Sequence, residues 1–202
     1  NDRPSHTVRT VISASASGYY ADAGDEAMTE DRLPAPGFLG QTCAAWERAV
    51  SDGRELGLRT VSLRSGVILS DRDGFYAKLA ALIRRGVAII PGSGRQWLPW
   101  IHIDDAVAAY RYALEHNGMQ GVYNMVAPGA VTFEAFIREL ARRRGARIVI
   151  HVPAIVLKTV LGQLSESLLT GARLSADKLR NAGFEFRYPN LHGALAALTT
   201  GS

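Results

Sequence analysis

One cysteine, Cys43, stands in 202 residues. An intrachain disulfide is excluded, and a reducing compartment, the cytoplasm, is the expectation. Inside an apolar helical pattern such a residue reads as a small packing side chain. Long apolar runs are lacking too. None approaches the ~20 residues of a bilayer-spanning helix, so no membrane partner is expected. No basic segment followed by an apolar stretch opens the chain, so no secretory leader is read. Nor does a G-x-G-x-x-G or G-x-x-G-x-x-G follow any strand-like segment. Gly92 and Gly94 stand too close together and lead into no immediate helix. A loop that cradles a pyrophosphate is therefore not encoded. The chain opens on Asn1 rather than Met, a few residues before an apolar segment, and so reads as processed or as beginning mid-protein.

Hydrophobic residues at 47% and charged ones at 21% are the balance of a globular domain. The net charge of +4 comes mostly from arginine. Its densest cluster, Arg142 to Arg144, closes a helical pattern before Gly145, where the helix dipole favours cations. No aromatics alternate with these residues, and no nucleic-acid partner is expected. Asp104 and Asp105 suggest a metal pair, but at a helix start they read as cap and first-turn acids. No metal site is assigned.

Thr7 to Ser15 reads as a buried strand, followed by a loop rich in Gly, Ala and acids. Leu39, Cys43, Trp46 and Val50 recur at helical spacing. Leu58 to Leu69 reads as a second strand running into a loop, Phe75 to Ile83 as a helical stripe, and Val87 to Ile90 as a short strand. After the PGSGR turn, Trp97 to Ile103 is extended and Asp104 opens a helix. Val122 to Val126 is a further strand, and Thr132 caps a helix through Leu140. Strand alternating with helix predicts an α/β fold with a doubly wound parallel sheet. From Val152 the pattern changes to a small α-rich appendage, with an apolar helix at Ala154–Leu161 and a second helix capped by Ser175. The expected division is 1–151 and 152–202.

Ligands of an open parallel sheet bind beyond the C-terminal ends of its strands. Those ends are Ser13 to Tyr20, Gly66 to Ser70, and the stretch from Arg95 to His102. Ser13, Ser15 and Ser17 alternate there. Tyr19 and Tyr20 offer a phenol or packing, and Trp97 and Trp100 a pocket floor or core. His102 reads as a structural hydrogen-bonder beside a helix start.

Four segments carry a resemblance: SASASGYYAD from Ser13, CAAWE from Cys43, LRSGVILS from Leu63 and GSGRQWLPWIHIDD from Gly92. With the ending GFEFRYPNL they resemble the epimerase-like branch of the extended short-chain dehydrogenase/reductase superfamily. The resemblance covers nearly the whole chain. It implies a Rossmann-type sheet of which this chain holds the C-terminal part, its first strand being the fifth. It also implies NADP, or NAD, as cofactor, gripped here only by its far end. The superfamily's catalytic set is a serine with Y-x-x-x-K. Ser15 matches the serine. Anchoring on Glu47 puts Cys43 at the lysine and Leu39 at the tyrosine, so two members of the set are missing. The arginine that sugar-nucleotide epimerases often place before the aromatic–Ile–His segment is Leu98 here. Arg95 could reach in its stead, or could be a solvated turn residue.

The resemblance makes Ser15 the catalytic candidate. It puts Ser13, Gly66, Val67 and Ile68 at the cofactor, and Tyr19, Arg95, Gln96 and Trp97 at the substrate. The expectation is an NAD(P)-dependent oxidoreductase or epimerase acting on a small polar, sugar-nucleotide-like molecule. A non-catalytic NADP(H)-binding scaffold or sensor is the alternative.

Overall fold

The structure, a computed structural model, describes residues 8–162 and 169–200. Thr7, the expected first strand residue, lies outside them. Three strands form the central parallel sheet in the order β1 (Thr10–Ala16), β3 (Arg59–Ser65), β8 (Gly121–Met125). The connections carry helices, as parallel pairing requires. Helix α1 (Phe38–Ser51) returns the chain from β1 to β3, and α3 (Ile103–Glu115) precedes β8.

The middle strand explains the layering. Residues of β3 alternate in direction. Val61 and Leu63 join Ile12, Tyr123 and Met125 against Ala106, Ala109 and Ala113 of α3. Thr60, Ser62 and Arg64, also buried, point to the opposite face, which α1 covers. Helices thus lie on both faces of the sheet.

Leu58 to Leu69 holds the expected strand, Arg59–Ser65, but continues into a second short strand rather than a loop. It breaks at Gly66, and Val67–Leu69 (β4) leaves the central sheet to pair with Trp100–His102 (β7). The break follows from crowding. A side chain at Gly66 would sit 2.6 Å from the Pro99 carbonyl, and the Val67 N–H donates to that oxygen at 2.7 Å. The extended stretch from Trp97 is divided likewise. Trp97–Leu98 (β6) pairs antiparallel with Val131–Thr132 (β9), and helix α3 starts already at Ile103.

A second core gathers α2 (Phe75–Ile83), β5 (Val87–Pro91), α4 (Phe133–Arg144) and α7 (Leu191–Thr200). Thr132 caps α4 by accepting from Ala135 N–H, as its sequence position predicts. At the other end of α4, Arg142 and Arg143 bind Glu139, and Arg143 reaches His192 of α7.

The α-rich appendage expected from Val152, and the strand just before it, are tied back to earlier parts of the chain. Ile148–Val152 (β10) extends β5 in parallel, and Arg173–Leu174 (β11) pairs with Ala27–Met28 (β2). Asp105, buried in the first turn of α3, accepts from the N–H groups of Arg187 and Tyr188 at 2.9 Å each. Helix α5 (Ala154–Leu161) departs from its apolar pattern, because Ile155 and Val156 are exposed. The short helix α6 (Asp177–Asn181) begins after Ala176. Ser175, one position earlier, still accepts from Asp177 N–H. Among the described residues no helix is long and apolar enough to cross a membrane.

Candidate functional site

The register aligns one residue from each central strand near its C-terminal end. Ser15 lies opposite Arg64, and Arg64 opposite Asn124. All three are buried and face α1. A guanidinium on the middle strand of a covered sheet is costly unless it is paired, and this one is bound on every side. Arg64 donates Nε to Glu47 Oε1 at 2.8 Å and Nη2 to Oε2 at 2.7 Å. Its Nη1 donates to Tyr20 Oη at 2.7 Å and to the Glu30 carbonyl at 3.2 Å. Tyr19 stacks under it, with the guanidinium carbon 3.3 Å from the ring centroid. Burial alone would lower the basicity of Arg64; the bonds to Glu47 and Tyr20 outweigh it and raise its pKa.

Ser15 and Asn124 finish the cluster. Ser15 Oγ donates to Glu47 Oε1 at 2.5 Å. Tyr20 Oη donates to Asn124 Oδ1 at 2.7 Å. Asn124 donates its amide to the carbonyls of Met28 and Ser175, and its backbone N–H to Glu30 Oε1. Burial pushes the Tyr20 phenol up to about 12, against the lowering influence of Arg64 and Asn124. Tyr20 is therefore a neutral structural phenol rather than a displaced phenolate.

Helix α1 presents the positions that the resemblance aligned with the Tyr–Lys pair. Leu39, Cys43 and Glu47 follow at four-residue steps along one helical face. Leu39 is the neighbour of Gly18, and half of its side chain is exposed. Cys43 packs partly against the Tyr19–Tyr20 cluster, and burial pushes its thiol up. Neither can replace a lysine-activated phenolate. Trp46, expected on the packed side, is 54% exposed and binds Ser13 Oγ through its Nε1 at 3.1 Å.

The other expected residues divide into two groups. Gly66 is buried at the strand break, Val67 is half-buried, and Ile68 is exposed beside them. Around the PGSGRQW turn an open cleft of about 270 Å³ is lined by Asp22, Gly24, Asp25, Ser93, Arg95, Gln96, Trp97 and Leu169. Arg95 and Trp97 border this cleft. Gln96 is buried, and its amide donates to the Pro91 carbonyl at 3.1 Å, so it braces the turn. Tyr19 is not in the cleft lining; it is the platform beneath Arg64. Trp100 is core, with its Nε1 on the Gly129 carbonyl. His102 caps α3 by accepting from Asp104 N–H through Nδ1. Burial lowers its pKa. Among the described residues no group of three metal-binding side chains converges.

The Arg64–Glu47 pair and Asn124 were not singled out from the sequence. The available signal was a single charged residue inside the apolar run TVSLRSG, because a buried arginine demands a carboxylate.

A parallel sheet with helices on both faces and a serine near a strand end under a returning helix belong to an NAD(P)-binding Rossmann class of protein. The chain belongs to the NAD dependent epimerase/dehydratase family, whose pattern matches residues 4–125; residues 152–198 match a domain of unknown function, DUF1731. It is 33% identical over 194 residues to an epimerase family protein of Mycobacterium bovis, covering 96% of this chain and 64% of that protein. It is 34% identical over 191 residues to the epimerase family protein YfhF of Bacillus subtilis, covering 94% and 63%. The chain thus spans less than two thirds of the length of these curated relatives. Among solved structures it is similar to the human epimerase family protein SDR39U1 with NADPH, at 27% identity and a TM-score of 0.88 over 96% of this chain and 66% of that one. It is also similar to a nucleoside-diphosphate sugar epimerase of Corynebacterium glutamicum, at 33% identity and a TM-score of 0.75 over 93% and 36%.

Proposed function

We propose that this chain is the substrate-side part of an NADP(H)-dependent oxidoreductase or epimerase acting on a small polar molecule. The observation that carries the reading is the open cleft between the β1–β2 loop and the turn after β5, on the side where a parallel sheet places its ligands. Kinship with a structure solved with NADPH favours NADP(H) over NAD.

The residues present fit one end of such a cofactor. Gly66, Val67 and exposed Ile68 offer an apolar edge for a nicotinamide ring, and Ser13 stands at the middle of β1 with its hydroxyl accepting from Trp46 Nε1. Bound there, the cofactor would supply hydride acceptance and return chemistry. Ser15 is the residue to orient the substrate oxygen. It is buried, lies outside the residues that line the cleft, and its own proton is held by Glu47. Arg95 and Trp97 face the substrate, with Gln96 bracing them.

The reading is tested by titrating NADPH into a chain extended to the relatives' length and into the 202 residues alone. The extended chain should bind in the micromolar range and the present one far more weakly, because no pyrophosphate loop is encoded in it. Equal micromolar affinity of both would overturn the division of labour.

A second reading, a non-catalytic NADP(H)-binding scaffold or sensor, is favoured by the Ser15–Glu47 bond and by Leu39 and Cys43 at the positions of the missing pair. Single-turnover reduction of bound NADP⁺ over a panel of alcohols and sugars separates the two readings. The scaffold gives none.

A further inference from the structure

Strand β10 is paired on one side. Its parallel register with β5 runs unbroken from Ile148 opposite Val87 to Val152 opposite Pro91, and among the described residues no strand lies along its other side. A parallel ladder uses both backbone groups of alternate residues. Ile148 donates to the Gly86 carbonyl at 3.1 Å, and Val152 accepts from Gly92 N–H at 2.9 Å. The N–H and C=O groups of Ile148, Ile150 and Val152 are therefore turned to β5, and those of Val149 and His151 point outward.

This edge lacks the usual guards. Edge strands are commonly shortened, bulged, or marked with a charge or a proline, which keeps other chains from pairing with them. The segment IVIHV holds no bulge, lysine, carboxylate or proline. Ile148, Val149 and Ile150 are 54%, 37% and 41% exposed, and Ile155 and Val156 at the start of α5 continue the apolar surface.

We infer that β10 pairs with β10 of a second copy of this chain, antiparallel about a two-fold axis at Ile150, so that the two sheets become one of four strands. The outward groups select this register. Val149 of each copy then lies opposite His151 of the partner subunit, and each such pair exchanges two N–H···O bonds. Ile150 meets its own copy as a non-hydrogen-bonded pair, in which side chains approach most closely. The same patch serves both subunits and the contact closes. Charge agrees with this arrangement. Arg84, Arg85 and Arg147 stand exposed at the first end of β10, and among the described residues none of them is in an ion pair. Arg147 shares a face with Val149 and His151. On that face, at the other end, Glu134 Oε1 lies 3.9 Å from His151 Nε2. Antiparallel pairing brings Arg147 of one copy towards Glu134 of the other. It holds the two arginine groups about 17 Å apart, a strand length, which exceeds the ~10 Å screening length of 0.1 M salt.

Sedimentation of the chain extended to the relatives' length tests the inference. A monomer–dimer equilibrium in the micromolar range is expected. Val149→Pro removes an outward N–H and spares the ladder with β5, so it should weaken the dimer at least about tenfold, with unchanged circular dichroism. Ile150→Lys, which sets two ammonium groups face to face, gives the same answer if the proline variant does not fold. Register is read by crosslinking in a Cys43→Ser background. Under mild oxidation Ile150→Cys should form a disulfide dimer, its two copies being ~4.5 Å apart between Cα atoms. Ile148→Cys should not, since its copies are ~14 Å apart along the strands. A monomer at every concentration overturns the inference; slow exchange of the Val149 and His151 amides in that monomer would assign the edge to the preceding part of the chain. A dimer that survives both Val149→Pro and Ile150→Lys, or crosslinking as ready at position 148 as at 150, also overturns it.

Discussion

Arg64 and Glu47 meet through two parallel N–H···O bonds of 2.8 and 2.7 Å, with 2% and 8% of their residue surfaces exposed. The bond joins the middle strand of the sheet to helix α1 at the level of Ser15. Its energetic meaning lies in what each partner would do alone. A buried charge stripped of its counter-ion typically costs ~3–5 kcal/mol, whereas a pair replaced together costs far less. Arg64→Met and Glu47→Leu should each lower the unfolding free energy by about that amount, and the double variant by clearly less than the sum. Urea denaturation of the four proteins measures the coupling, with far-ultraviolet circular dichroism reporting any variant that is already unfolded. Additive losses would mean that the two side chains act independently.

Ser15→Ala should cost stability first. The variant removes a 2.5 Å bond to a carboxylate, and bonds to charged groups are worth roughly 1.5–3 kcal/mol. In an NADPH-binding extended chain it should also lower turnover by ~10²–10³ without weakening the cofactor. Cys43→Ser should be nearly silent in both assays, since burial keeps this thiol protonated. Loss of turnover in Cys43→Ser with Ser15→Ala active would reverse the two roles.

Gly66→Ala tests the strand break. The added methyl would meet Pro99 backbone at 2.6 Å, and backbone cannot step aside as a flexible side chain can. A loss of ~1–3 kcal/mol is expected, with the β4–β7 pairing as its place of action. Thermal denaturation gives the size of the effect. Reduced amide-exchange protection at Val67, whose N–H donates to Pro99, gives its location.

Acid should loosen the contact of α4 with α7. A hydrogen bond from Arg142, opposed by burial and reinforced by a hydrogen bond from Arg143, holds the Glu139 carboxyl down at about 2. Its folded pKa is depressed, so its stabilisation is complete above the ordinary value of 4.5 and is lost as pH falls towards 2. Glu139→Gln should therefore be less stable than the parent at neutral pH and should converge with it near pH 2. Chemical denaturation across that range shows the convergence or its absence.

How much of this was legible in the sequence depends on whether the controlling interaction is local. Helix α4 could be read from its own residues: Thr132 bonds Ala135 three positions on, the apolar stripe has helical period, and Gly145 takes the left-handed conformation at the end. The alternation of strands and helices likewise fixed the parallel sheet, because a parallel pair needs a helical crossover. Glycine spacing excluded a pyrophosphate loop by the same local logic. Tertiary structure decided the rest. Whether Leu58–Leu69 is one strand or two depends on Pro99, thirty-three residues beyond Gly66, and no pattern within LRSGVIL records that approach. Ser15 looked like an unattached hydroxyl at a strand end until α1 brought Glu47 within 2.5 Å of it. Arg64 was one charge in an apolar run until register set it between Ser15 and Asn124, and the Tyr19 ring closed beneath it. Period and capping are properties of neighbouring residues, which a sequence displays directly. The partner of a buried charge is chosen by strand register and helix placement, which exist only once the chain has folded.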